Sequence, residues 1–179
     1  MKKLFILLFA AAALFSLAAD EVVVWKPADL TKFMRPNSGT GIWCNKSKGM
    51  VCSAKATKDV LTLTIEKNPT KSLMDAQGML LYGGKYEKGV KYEMSYKIKA
   101  NKNVRIWASV AMGKHPWKAF KGEYVELDAN EEEDIDIEFT IPQDYEGKLR
   151  LLFLGLGSAP EGTVFDIYDI KLQKEVEKK

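Results

Sequence analysis

Histidine is all but missing from this 179-residue chain: His115 is the single example, and cysteine occurs only at Cys44 and Cys52. Two thiols cannot fill a tetrahedral zinc site, and His115 lies far from both in sequence. With one histidine and no Gly-x-Ser-x-Gly elbow, a Ser-His-Asp hydrolase has no support either. Charge of one sign is also scarce. Lys and Arg number 27 against 24 Asp and Glu, without a basic stripe, which argues against nucleic acid as the main partner. No Gly/Ser- or Pro-rich linker divides the chain, so the length is read as one domain with one core.

Long apolar runs are absent except at the start. Met1-Lys2-Lys3 is followed by an apolar run from Leu4 to Leu17, broken only by Ser16, and then by Ala18-Ala19 before Asp20. These are the three regions of a secretory signal peptide, expected over residues 1–19. The run falls short of the roughly 20 residues that span a bilayer, and no later segment reaches that length. The expected product is secreted or periplasmic and has no transmembrane segment. Without Lys2 and Lys3 it carries 25 basic and 24 acidic residues, a net charge of +1. Only Lys174 to Lys179 reads as a charged, solvated tail, leaving residues 20–173 for the domain.

In such an oxidising compartment, the two cysteines of "CNKSKGMVC" (44–52) predict a Cys44–Cys52 disulfide pinning a hairpin or loop. Closing so short a loop stabilises by roughly 2–3 kcal/mol on the chain-entropy account.

The rest reads as β-structure. "VLTLTI" (60–65) alternates, as do Val90 to Ile98, Val104 to Met112 and Ile135 to Ile141, each with one apolar and one polar face. Leu149 to Leu156 is apolar on nearly both faces, the pattern of a central strand covered on both sides. Val164 to Leu172 closes the set, with shorter strands near 22–25, 50–53, 79–82 and 123–127. Turn signals, among them Gly83-Gly84 and Ala159-Pro160-Glu161-Gly162, separate the strands. Helical periodicity is lacking after the leader. The expected fold is all-β, a two-sheet antiparallel sandwich of the jelly-roll kind.

The succession "YEKGVKYEMSYKIKA" (86–100), "NVRIWASVAM" (103–112), "EYVELDANEEEDIDIEFTIP" (123–142), "GKLRLLFLGLG" (147–157) and "VFDIYDIKL" (164–172) resembles carbohydrate-binding modules of families 4 and 9. Their fold is similar to the galactose-binding-domain jelly rolls. The shared features are a Gly-x-x-Tyr strand start, a Lys-Ala strand end, a Phe-x-x-Pro segment and a closing aliphatic strand. The resemblance spans roughly residues 22–172. It implies a glycan ligand, an aromatic platform on one sheet face and a structural calcium ion. The family's Asp-Asp or Asp-Asn pair is replaced here by Tyr168-Asp169 ahead of Ile170.

Strand parity gives the platform its first candidate. Val104, Ile106, Ala108 and Val110 claim one face, so Trp107 falls on the other beside Arg105. Sugar rings dock their C–H faces on flat aromatics, while their hydroxyls meet Arg, Asn, Gln or His. Trp107 and Arg105 fit this use, with His115 and Trp117 of "GKHPWKAF" as a wall and Tyr82 and Trp43 as further candidates. Each has a plainer reading. Trp107 is equally a lid residue under a connection, Trp117 packs down on its own sheet, and His115 is a solvated loop residue. Trp25 is assigned to the core.

"DIDIEF" (134–139) is similar to the carboxylate strand of laminarinase-like glycoside hydrolases, in which carboxylates roughly 5–5.5 Å apart act as nucleophile and acid. Asp134, Asp136 and Glu138 have that spacing, but Asp at the first position is short and Glu131-Glu132-Glu133 beside it reads as a solvated strand start. The sequence therefore favours a secreted, non-catalytic carbohydrate-binding protein. The alternatives are a structural or protein-interaction sandwich of the cell envelope and, behind it, a laminarinase-like hydrolase.

Overall fold

A computed structural model describes residues 20–34 and 41–176; the expected signal peptide lies outside the described residues. The chain forms eleven strands: β1 Asp20–Trp25, β2 Gly41–Cys44, β3 Val51–Ala56, β4 Leu61–Lys67, β5 Ala76–Tyr86, β6 Lys91–Ala100, β7 Val104–Met112, β8 Ala119–Leu127, β9 Glu132–Thr140, β10 Tyr145–Gly155 and β11 Thr163–Val176. Three short 3-10 turns are the only helical pieces among the described residues, and none is long and apolar enough to cross a membrane.

All strand pairs within the two sheets are antiparallel. One sheet has the order β3-β4-β11-β6-β9, with β1 added to the far half of the long strand β11. The other has the order β2-β5-β10-β7-β8. This is the expected two-sheet jelly roll. Its core is what the alternation dictates. On β9, Ile135, Ile137 and Phe139 are buried, while Asp134, Asp136 and Glu138 are exposed. On β6, Tyr92, Met94, Tyr96 and Ile98 face the same interior.

Four expectations change. The Gly83-Gly84 pair is not a turn but runs inside β5, opposite Lys148 and Gly147. The tail is not frayed from Lys174: Lys174 to Val176 pair with Val22 to Asp20. The strand β2 was not anticipated, since four residues, "GIWC", are too few to show a period.

The fourth concerns β10. It is central, between β5 and β7, but its outer face is only partly covered, leaving Arg150 and Phe153 half-buried. Its apolar run comes from a bulge. Register shifts between Arg150 and Leu152, so the consecutive Leu151 and Leu152 both turn inward. Arg150 and Phe153, which strict alternation would put on opposite faces, both turn outward.

Candidate functional site on the five-stranded sheet

The outer face of the five-stranded sheet carries the aromatics. Cross-strand register aligns Trp43 with Gln77, Gln77 with Gly155, Gly155 with Trp107, and Trp107 with Tyr124, one residue from each strand. The neighbouring row runs Gly41, Met79, Phe153, Ser109 and Gly122. Trp107 and Arg105 therefore lie on the predicted face.

The turn Leu73–Asp75 divides that face. A Cβ on Gly155 would meet Leu73 Cγ at 3.0 Å and Met74 Cε at 3.3 Å, so the turn lies over the middle of the first row. Trp107 falls on one side of it and is half-buried. Its indole lies on Gly122, where a Cβ would come within 2.4 Å of the ring. Tyr124 meets it edge-on at 5.0 Å. Arg105 is exposed, with its Nε 3.2 Å from Glu126 and its guanidinium 4.1 Å from the Tyr124 ring centre.

On the other side of the turn is an open groove of about 520 Å³, lined by Trp43, Gln77, Met79, Trp117, Arg150 and Phe153. Trp43 is 48% exposed and Trp117 51%. Met79 and Phe153, paired across β5 and β10, lie in it. The Gln77 amide donates to Met74 O at 3.0 Å, and its oxygen accepts from no described residue. Trp107 is not among the lining residues.

Trp117 reaches the groove through the β7–β8 connection. Gly113 N donates to Lys148 O at 2.9 Å, and a Cβ there would come within 2.5 Å of that oxygen, so only glycine lets the loop seat on β10. Trp117 N donates to Lys114 O at 2.8 Å, and Trp117 adopts φ 50°, an uncommon value for an aromatic residue. His115, exposed, meets the Trp117 ring edge-on at 5.2 Å. The Arg150 guanidinium lies 5.8 Å from the Trp117 ring centre and 5.0 Å from that of Phe153. Arg150 Nε is buried without a hydrogen-bond partner among the described residues, and burial pushes its guanidinium below the usual range.

Other predicted residues lie elsewhere. Tyr82 faces inward on β5 and stacks on Trp25 at 4.7 Å, so it belongs to the core margin rather than the platform. Cys44 and Cys52 are free thiols on strands of opposite sheets, not the disulfide of a hairpin. Cys44 Sγ donates to Met50 O at 3.6 Å; burial first, then the neighbouring Cys44, push the Cys52 thiol up to about 12. Asp134, Asp136 and Glu138 lie on the other sheet, away from the groove. Lys97 holds Asp134 at 3.7 Å, and Lys91 bridges Glu138 and Glu175 at 2.8 Å each. As for the implied calcium, no group of three or more His, Cys, Asp or Glu among the described residues is placed to hold a metal, and Asp169 is exposed.

A second cleft of about 560 Å³ lies at one end of the sandwich, lined by Lys85, Glu146 and neighbours. Its tyrosines, Tyr86 and Tyr145, are buried, and Lys85 pairs with Glu146 at 3.4 Å, so it offers no open aromatic face.

The strand order defines a two-sheet jelly roll, and solved structures agree on the fold. A CBM4 structure is similar at TM-score 0.65 and 19% identity, covering 83% of this chain and 99% of its own. The N-terminal cellulose-binding domain of Cellulomonas fimi β-1,4-glucanase C follows at TM-score 0.56 and 17% identity, covering 82% of this chain and 95% of its own. A cyclase from Fischerella is also similar, with TM-score 0.56 and 9% identity over 89% of this chain and 100% of its own. The chain thus has a CBM4-like fold, one that also occurs in a cyclase. No protein-family model and no curated protein matches the sequence.

Sequence reasoning missed Arg150, Phe153, Gln77 and Met79. One signal was present: Arg150 is the lone charge in "LRLLFLG", a run that full coverage of both faces would not tolerate.

Proposed function

We propose that the chain is an exported, non-catalytic glycan-binding module whose ligand occupies the groove between Trp43 and Trp117. One observation carries this reading: two half-exposed tryptophans share a groove with a guanidinium whose Nε has no partner among the described residues. A contiguous apolar patch rimmed by polar groups marks a ligand-binding groove. Sugar C–H faces suit the rings, and sugar hydroxyls suit the Arg150 donors and the amide oxygen of Gln77. Trp107, Arg105 and Tyr124 form a second patch past the turn, for which the same chemistry holds. His115 supports the Trp117 ring from the loop side. None of the six described residues that line the groove is a carboxylate.

Affinity electrophoresis through a broad panel of soluble polysaccharides tests the reading. The wild type should be retarded by at least one glycan, and Trp43→Ala and Trp117→Ala should each migrate with less retardation. Free migration of the wild type through every gel would instead favour the protein-interaction sandwich.

A further inference from the structure

Two arginines share the outer face of the five-stranded sheet, and their surroundings differ. Arg105 is answered by Glu126 and Tyr124. Arg150 forms no ion pair with any described residue, its Nε is buried without a partner, and its guanidinium is held by the rings of Phe153 and Trp117 instead. The six residues lining its groove include no acid. The loop above adds Lys114, His115 and Lys118, all exposed, and again no acid.

A cation partly withdrawn from water and left without a counter-charge is costly to the fold. An anion brought by a ligand would offset that cost. A planar guanidinium is also the side chain best shaped to take a carboxylate or sulfate through two parallel hydrogen bonds. Building on the glycan reading above, we propose that the groove selects an acidic glycan, its carboxylate or sulfate group received by Arg150 while sugar faces stack on Trp43 and Trp117.

Matched polymers test this by affinity electrophoresis at physiological ionic strength. One pair is polygalacturonate and its carboxyl-reduced product; the other is dextran sulfate and dextran; polyglutamate serves as a polyanion without sugar. The proposal expects at least one acidic polymer to bind about tenfold more tightly than its neutral partner, a difference of about 1.4 kcal/mol. Polyglutamate should not bind. Which pair shows the preference tells carboxylate from sulfate. Arg150→Gln should abolish the preference, and Arg150→Lys, which keeps the charge without the planar fork, should retain only part of it. Thermal melts of both variants check folding; should Arg150→Gln unfold, the partial loss in Arg150→Lys decides. Equal binding within both pairs overturns the proposal but leaves the glycan reading standing, as long as Trp117→Ala abolishes that binding. Binding of polyglutamate as tight as that of the acidic glycans, or a full preference in Arg150→Lys, also overturns it. Failure of every polymer here and in the broad panel overturns the glycan reading itself.

Discussion

At the scale of single residues, Trp107 and Asp75 show how local chemistry prepares the face. Trp107 reaches solvent on the predicted side, yet its depth depends on Gly122, a residue on the next strand that parity does not identify. Gly122→Ala would set a Cβ 2.4 Å from the indole and 2.7 Å from Ser109 Cβ. The ring must then move, and we expect a loss of about 1–3 kcal/mol, read as a lower denaturant midpoint. An unchanged midpoint would show that the indole is not held there. Asp75 anchors the segment after Trp43: Asn45 donates to it at 2.9 Å and Lys48 at 3.0 Å. The Asn45 hydrogen bond first, then that of Lys48, holds its carboxyl below the ordinary carboxylate range. A depressed folded-state value means that the stabilisation is complete above the unfolded-state value, near 4, and is lost as pH falls through the lower folded one. Thermal melts should show Asp75→Asn destabilised at pH 7, with the gap to wild type closing in acid. A gap that persists at low pH contradicts this.

At the scale of elements, the strands that obey simple alternation were legible and those that break it were not. β6, β7 and β9 appear where their period-two patterns put them, because one wet and one dry face leave a local signature. The β10 bulge left a misleading one: burying Leu151 and Leu152 in succession makes the strand look covered on both sides, and so hid Arg150 and Phe153. β2 carries Trp43 on four residues, and only pairing with β5 makes it a strand. The candidate site was thus half readable. Its tryptophans stood out by residue type, while their grouping depended on register. Two expectations at this scale are open to test. Asp134, Asp136 and Glu138 decorate the outer side of β9, so changing all three to Asn and Gln should leave the melting temperature nearly unaltered and glycan retention intact. Substitution-sensitive cleavage of a β-glucan would contradict that. Cys44 and Cys52, free thiols on β2 and β3 of opposite sheets, should both remain open to alkylation once the folded protein is denatured. Intact-mass analysis after alkylation without reductant checks it: two added alkyl groups are expected, and none would contradict the free thiols.

At the scale of the whole molecule, the two sheets have divided the work. The outer face of one is a ladder of paired charges, with Lys91 and Lys97 answered by Glu138, Glu175, Glu132 and Asp134. The outer face of the other is aromatic and carries a cation without a described partner. The jelly roll itself does not decide the function, since a cyclase shares it, so the weight rests on that second face. The most direct measurement sets binding against stability for two tryptophans of that face, by calorimetric titration with the retained glycan and thermal melts. Trp117→Ala should weaken binding at least tenfold, about 1.4 kcal/mol, with little change in melting temperature. Trp107→Ala should cost about 3 kcal/mol of stability, the low end of the range for truncating a core aromatic because the ring is only half-buried, and should leave most of the binding in place. The opposite pattern, with Trp107→Ala losing the glycan and Trp117→Ala keeping it, would contradict a ligand seated between Trp43 and Trp117.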